Sequence, residues 1–334
     1  MTDLLVPMVA GLAYRIGNLD KPDARKVHST PIPRLGGIAM FLGVSASLAV
    51  LELLVPGRLF PLDGPLQGVF VGATLTFFLG VADDLHPLPA KIKFACQIAI
   101  ASIAFFLGVR IEFLSNPLTG GIWLLPISLA LPLTAFWLVG VTNCINLIDG
   151  LDGLAAGISI IAATTIGLIA WQTNQLISSI VAVALVGSAI GFLRYNFNPA
   201  RIFMGDSGSL FLGFSLAAIS VVGVLKLIAT AALVLPVLIL GVPIFDTAFA
   251  ILRRLWKHKP IFSPDKGHLH HRLLGIGLSQ KKVVVLIYGV SLSFCGLAML
   301  LVKVTGAVTV LLSSLLILTW GIWNLVRSWK ESKN

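Results

Sequence analysis

The stretch LIDGLDGLAAGISIIAATTIGLIAWQ, residues Leu147–Gln172, decides the fold. From Leu154 to Trp171 it runs for 18 residues without a charge. A helix of that length rises about 27 Å, close to the roughly 30 Å thickness of a bilayer's hydrocarbon core. The run is continuously apolar, which excludes the alternating pattern of a membrane β-barrel. Directly before it stand Asp149 and Asp152, each followed by a glycine. A membrane-crossing helix is therefore predicted to begin where an acidic, bendable turn ends.

Similar runs recur on both sides. They span Gly36–Val55, Leu66–Ala82, Phe94–Val109, Ile122–Val141, Leu176–Leu193, Leu210–Leu225, Ile228–Ile251, Val283–Val302 and Gly306–Val326. Composition agrees: 57% of the 334 residues are apolar and 11% are charged. Too few polar residues remain to cover a water-soluble surface. The predicted fold class is all-α, one polytopic transmembrane helix bundle over residues 1–334, with about ten full spans plus a truncated first helix. That first segment, Leu4–Ile16, gives only about 20 Å of helix. It lacks the basic flank and cleavage site of a secretory signal. It reads as the inner half of a helix whose outer half is missing, or as a short re-entrant or interfacial helix. Residues 253–282 form the longest polar interruption, read as a loop. Cys96, Cys144 and Cys295 are too scattered for a disulfide framework.

Basic residues orient the bundle. With 17–35 placed in the cytoplasm and the spans alternated from there, 20 of the 24 Lys and Arg fall on the cytoplasmic side. All six histidines and ten of the fourteen acids join them. Asp3, Glu52, Asp63 and Glu112 fall outside. The whole net charge of +10 thus sits on one face. Insertion topology and anionic lipid explain the excess of positive charge, but not why acids and histidines crowd the same face. The basic residues flank spans rather than gathering on a compact fold, so no nucleic-acid partner is expected.

Four clusters on that face can carry chemistry. Asp83 and Asp84 end one span, against the negative end of the helix dipole, so a metal ion or Lys91 and Lys93 should compensate them. Asn143, Asn146, Asp149 and Asp152 recur every three residues, which keeps them near one face of a helix or tight turn. Their oxygens suit Mg²⁺ or a hydrogen-bonded nucleoside, where a helix cap would need one such residue. Asp206, within Phe203-Met-Gly-Asp-Ser-Gly-Ser209, opens another span. It is either an N-cap or a Mg²⁺ ligand beside a phosphate-binding helix N-terminus. His268, His270, His271 and Arg272 could grip a diphosphate, bind zinc, or be a solvated basic loop. The basic, proline-stiffened segment containing Lys26 is a guide for an anionic substrate or a membrane anchor. Asp246 lies inside an apolar run and is a functional candidate by default.

Every cluster lies at the cytoplasmic ends of spans. A secondary transporter would place ionisable groups near mid-bilayer on paired broken helices. An enzyme at the inner membrane surface fits better, with acids for Mg²⁺, cations for phosphates and apolar helices for a lipid co-substrate. An ion-coupled transporter is the alternative from a different class.

The residues resemble the polyprenyl-phosphate N-acetylhexosamine-1-phosphate transferases, glycosyltransferase family 4. The matching pieces are Asp20-Lys-Pro-Asp-Ala-Arg-Lys-Val-His28, Pro33-Arg-Leu-Gly-Gly37, Asp83-Asp84, Asn143 to Gly153, Phe203 to Ser209 and His268 to Arg272. The histidine segment, ending in Arg272, is most similar to the branch that transfers GlcNAc-1-phosphate to undecaprenyl phosphate. The triple-histidine form of the phospho-MurNAc-pentapeptide transferases, the other alternative, is not present. The resemblance implies a bacterial plasma-membrane enzyme with a cytoplasmic, Mg²⁺-dependent site, Mn²⁺ being a substitute. A UDP-sugar and a polyprenyl phosphate are its implied partners, and a homodimer is left open. By the family pattern Asn146 and Asp206 hold the metal, and Asp83 and Asp84 face the attacking lipid phosphate as catalytic residues. Asn143, Asp149, Asp152, His268, His270, His271, Arg272 and Lys26 bind substrate, with Asp152 toward the uracil.

Overall fold

The structure, a computed structural model, describes residues 1–20, 30–57, 64–115, 121–223, 234–258 and 267–331. Lys26 lies outside them. The described chain opens with α1 (Thr2–Ile16), the hairpin of β1 (Leu19–Asp20) and β2 (Ile32–Pro33), and α2 (Gly36–Leu54). Next come α3 (Pro65–Leu85), α4 (Ala90–Phe106) and a second antiparallel hairpin, β3 (Phe113–Ser115) with β4 (Ile122–Leu124). The central helices are α5 (Ile127–Ile148), α6 (Leu154–Gln172), α7 (Leu176–Asn196) and α8 (Gly205–Gly223). They lead to α9 (Val234–Ile239), α10 (Gly241–Trp256), α11 (Leu269–Gly275), α12 (Gln280–Leu301) and α13 (Ala307–Glu331). Eight of these helices are long and apolar enough to cross a membrane, which makes the chain a polytopic helical membrane protein.

Helix α8 is the centre, and nearly every residue on it is buried. Its glycines, serines and alanines let neighbouring backbones approach from all sides. A Cβ on Gly37 of α2 would stand 2.1 Å from the Gly208 nitrogen, and one on Gly80 of α3 would stand 2.4 Å from the Asp206 carbonyl oxygen. Both contacts lie in the first turn of α8. The first turn of α8, which holds Asp206, is therefore closely packed against α2 and α3.

Three expected boundaries move. The run Ile122–Val141 is not one span: Ile122–Leu124 pair with Phe113–Ser115, and the helix starts after Pro126 and continues to Ile148. Proline suits a helix start because it has no N–H to leave unpaired. Asn143 and Asn146 thereby become helical residues. The run Ile228–Ile251 is interrupted at Leu240, between α9 and α10. Pro243 cannot donate to the Ile239 carbonyl, and the Cys295 thiol reaches that oxygen instead at 3.7 Å. Residues 253–282 are not a plain loop, since α10 runs to Trp256, α11 carries the histidines and α12 starts at Gln280.

Helix α1 packs on α2 and α7. Thr2 Oγ1 is 2.9 Å from Ser188 Oγ, eight residues before the end of α7. Arg194 near that end donates to Asp3 at 3.0 Å. Alternation placed Asp3 on the outer side; its partner places it toward the end where α7 meets α8.

Candidate active site

The ends of α5 and α7, the starts of α8 and α12, the turn before α6 and the histidine helix α11 converge on a cavity of about 600 Å³. Arg34, Asn146, Asp149, Asp152, Asp206 and His271 all line it. Residues read from four separate stretches of sequence are thus neighbours in space.

Asp84 organises the first turn of α8. Its two carboxylate oxygens accept the backbone N–H groups of Asp206 and Ser207, at 2.8 and 2.9 Å. Arg34 Nε lies 3.3 Å from the same group. The α8 N-terminus is therefore capped by a carboxylate from α3, not left open to phosphate as the sequence suggested. A negative side chain there also complements the helix dipole. Gly205 begins the helix at φ 72°, a left-handed conformation, and a Cβ on it would stand 2.4 Å from Asp84 Oδ2. Asp83 accepts the Leu88 N–H at 2.8 Å and the Lys93 ammonium at 3.1 Å, and its carboxyl lies against that of Asp206. Lys93, rather than the exposed Lys91, supplies the expected compensation.

Asp206 lies between cations. Arg34 Nη2 is 3.2 Å from Oδ1, and Lys93 Nζ is 2.6 Å from Oδ2. Burial opposes the Arg34 charge, but Asp84, Asp206, Asp20 and Asp149 outweigh it and hold the guanidinium above its usual value. On α5, the Asn146 amide donates to Ser209 Oγ at 2.9 Å. Asn143 donates instead to Gln97 of α4 and to the Val139 carbonyl, and it does not line the cavity.

Asp149 follows α5 directly. Its carboxylate accepts no hydrogen bond among the described residues. Burial, with Asp206, Asp84 and Asp152 adding and Arg34 opposing, raises it well above the usual carboxylate range. Asp152 is braced: its Oδ2 accepts from Asn198 Nδ2 at 2.8 Å and from the Ala200 N–H at 3.1 Å. Asn198 also bonds Gln280 at 2.8 Å, which ties this turn to α12. Gly153, at φ 79°, receives Asn196 on its N–H and the Tyr288 hydroxyl on its carbonyl.

The histidine segment divides. His271 lines the cavity. His268 Nδ1 lies 2.8 Å from Asp246 Oδ2, and Asp246 also accepts the Leu269 N–H at 2.8 Å, so Asp246 pins the start of α11. His270 is buried against Gly150. Burial, reinforced by His271, pulls its pKa down to about 4, with Asp246 opposing. Arg272 is exposed and does not line the cavity.

Sequence reading gives Arg34 only as part of the basic N-terminal segment and of Pro33-Arg-Leu-Gly-Gly37, gives Lys93 only as a counter-charge, and does not single out Asn196, Asn198, Gln280 or Tyr288. For the asparagines the signal in reach is their position closing an apolar span, Asn196-Phe-Asn198.

The donors suit a hard cation. Asn146, Asp149 and Asp206 offer carboxamide and carboxylate oxygens, the ligand type of Mg²⁺. No three His, Cys, Asp or Glu side chains gather as a metal cluster among the described residues. Mg²⁺ commonly takes one or two carboxylates and completes its shell with water and substrate phosphate, so the residues present fit that ion.

Apolar helices with polar and charged side chains gathered round one cavity define a polytopic helical membrane protein. The chain belongs to glycosyl transferase family 4, whose model matches residues 66–224. It is 42% identical over 302 residues to the probable undecaprenyl-phosphate N-acetylglucosaminyl 1-phosphate transferase of Bacillus subtilis strain 168, covering 90% of this chain and 82% of that protein. The decaprenyl-phosphate N-acetylglucosaminephosphotransferase of Mycobacterium leprae is 40% identical over 84% of this chain and 76% of its own length. The undecaprenyl-phosphate alpha-N-acetylglucosaminyl 1-phosphate transferase of Escherichia coli K12 is 29% identical over 86% and 77%.

Proposed function

We propose that this protein transfers N-acetylglucosamine-1-phosphate from UDP-N-acetylglucosamine to a polyprenyl phosphate, releasing UMP, at the cytoplasmic face of a bacterial plasma membrane. The observation that carries the proposal is the convergence of Asn146, Asp149, Asp152, Asp206, Arg34 and His271 on one cavity at the end of an apolar bundle. The relatives' names supply the lipid and the sugar phosphate. In this reading α4 and the α9–α10 pair complete about ten spans, with α1 as a shorter companion.

An oxygen of the lipid phosphate attacks the β-phosphorus of the donor, and UMP leaves as that P–O bond breaks. The protein's task is positioning and charge neutralisation. Asn146 and Asp206 hold Mg²⁺, with Asp149 beside them. When bound, the ion neutralises diphosphate charge and polarises a phosphoryl oxygen. Asp152, fixed by Asn198 and the Ala200 N–H, faces the nucleoside with Gly150 and Gly153. His271 contacts the diphosphate, and Arg272, next on the same helix, adds positive charge. His268 and His270 anchor that helix, and Asn143 steadies α5 against α4. Lys26 guides the anionic substrate.

Neither Asp83 nor Asp84 needs to be a base, because a phosphate monoester has a second pKa near 6 and is largely dianionic at neutral pH. Asp84, spent on the α8 N-terminus, acts as a brace, and Asp83 positions Lys93.

The test is label transfer by purified protein from a panel of UDP-sugars to undecaprenyl phosphate, with and without EDTA. EDTA should stop transfer and added Mg²⁺ restore it. Asp206→Ala should abolish transfer at every Mg²⁺ concentration while the protein stays folded; retained activity removes Asp206 as the ligand. Proton-coupled uptake into liposomes without a lipid-linked product would replace the enzyme with a transporter.

A further inference from the structure

Lys93 stands in the first turn of α4 and reaches two carboxylates from two other helices. Its ammonium lies 2.6 Å from Asp206 Oδ2 and 3.1 Å from Asp83 Oδ2. Arg34 takes the other oxygen of Asp206, at 3.2 Å. Both oxygens of Asp206 are therefore already matched by charge from the chain itself. We propose that Lys93 is a built-in counter-ion: it occupies the cation position at Asp206 and must leave Oδ2 before that oxygen can take a divalent ion. The inference rests on the reading of Asp206 as a cation ligand.

The two cations are not equivalent. Arg34 divides one planar guanidinium between Asp84 and Asp206, and its backbone N–H is held by the Asn18 carbonyl at 3.3 Å. A rigid fork between fixed partners resists displacement. Lys93 is a compact charge on a flexible stem, and it keeps Asp83 as a partner after giving up Asp206. An ammonium and a divalent ion crowded on Oδ2 repel each other, and the repulsion grows as the site is shut off from water.

The arrangement has a use. Asp83, Asp84 and Asp206 are all buried at one end of the bundle, and like-charged carboxylates packed together disfavour one another's ionised forms. Lys93 and Arg34 supply the opposing charge. Affinity for the free ion is then set by competition with Lys93. A diphosphate that brings its own divalent ion adds negative charge, which gives the released ammonium a second destination.

Mn²⁺ serves as the probe. Its binding to the purified full chain, without nucleotide, is read by the electron paramagnetic resonance signal of the free ion. Lys93→Met should tighten Mn²⁺ binding by roughly tenfold or more, since the competing charge is gone. Lys93→Arg, which keeps the charge, should stay near the wild-type affinity. Asp206→Asn should remove the gain when combined with Lys93→Met. Equal or weaker binding by Lys93→Met, still dependent on Asp206, overturns the counter-ion role and leaves Asp206 as ligand. Binding that ignores Asp206→Asn, or no binding in any variant, overturns both. Should Lys93→Met fail to melt cooperatively, Lys93→Gln removes the same charge and retains a group that can bond Asp83, and its affinity is judged by the same outcomes.

Discussion

At the residue scale, neighbouring side chains of one type do different work because the backbone aims them differently. Asp83 and Asp84 are consecutive at the end of a helix, so their side chains diverge by about 100°. One meets Lys93 and the other the α8 N-terminus. The histidines divide in the same way. His268 is held by Asp246, His271 faces the cavity, and His270 is buried with its ring 4.3 Å from that of His271 and 5.7 Å from that of His268. With its pKa pulled to about 4 from 6.5, His270 is neutral when the chain is folded at neutral pH. Between those two values the unfolded chain binds the extra proton, so stability falls as pH drops through 6.5 and the loss is complete near 4. Thermal melts over this range should show the wild-type midpoint falling more steeply with acid than that of His270→Gln. Parallel slopes would remove His270 as the source.

At the scale of elements, α8 behaves as a core helix that also carries the site. Close approach by α2 and α3 holds its first turn, and that turn holds Asp206. Gly37→Ala puts a methyl group 2.1 Å from the Gly208 nitrogen, where only backbone can yield. The expected loss is about 1–3 kcal/mol or somewhat more, the range for overpacking. The melting midpoint should fall, and turnover should fall with it as Asp206 shifts. Gly11→Ala is the control: nothing stands within 4 Å of its Cβ, so both measurements should stay near wild type. A Gly37→Ala protein as stable and active as this control would mean that α2 can move without disturbing α8.

At the scale of the whole molecule, the charge asymmetry and the cavity belong to the same end of the bundle. The hairpin of β1 and β2, the ends of α3, α5 and α7, and the starts of α6, α8 and α12 meet there. Asn18, between α1 and β1, donates to the Asp84 carbonyl at 2.7 Å. The basic residues give an expected orientation, with the cavity end inward, and it can be measured. Single cysteines are introduced at Arg201, beside the cavity, and at Gln172, at the far end of α6, with the three native cysteines replaced by alanine. A membrane-impermeant maleimide applied to intact spheroplasts should label Gln172→Cys and leave Arg201→Cys unlabelled until lysis. The reverse pattern would put the cavity on the outer face.

Sequence alone determined that the chain is a polytopic helical bundle, because a backbone in hydrocarbon must satisfy its own hydrogen bonds and the apolar runs state where it does so. It also grouped Asn146, Asp149, Asp152, Asp206 and His271, since alternating spans send all of them to one side. It could not tell which of those groups touch. That Asp84 caps α8, that Lys93 rather than Lys91 meets Asp83, that Asn143 turns to Gln97 and that Arg272 stays exposed were decided by helix packing. Such contacts join residues as much as 123 positions apart. They depend on rotation and depth of each helix, which are set by glycine-mediated close approach and carry no local periodic signal.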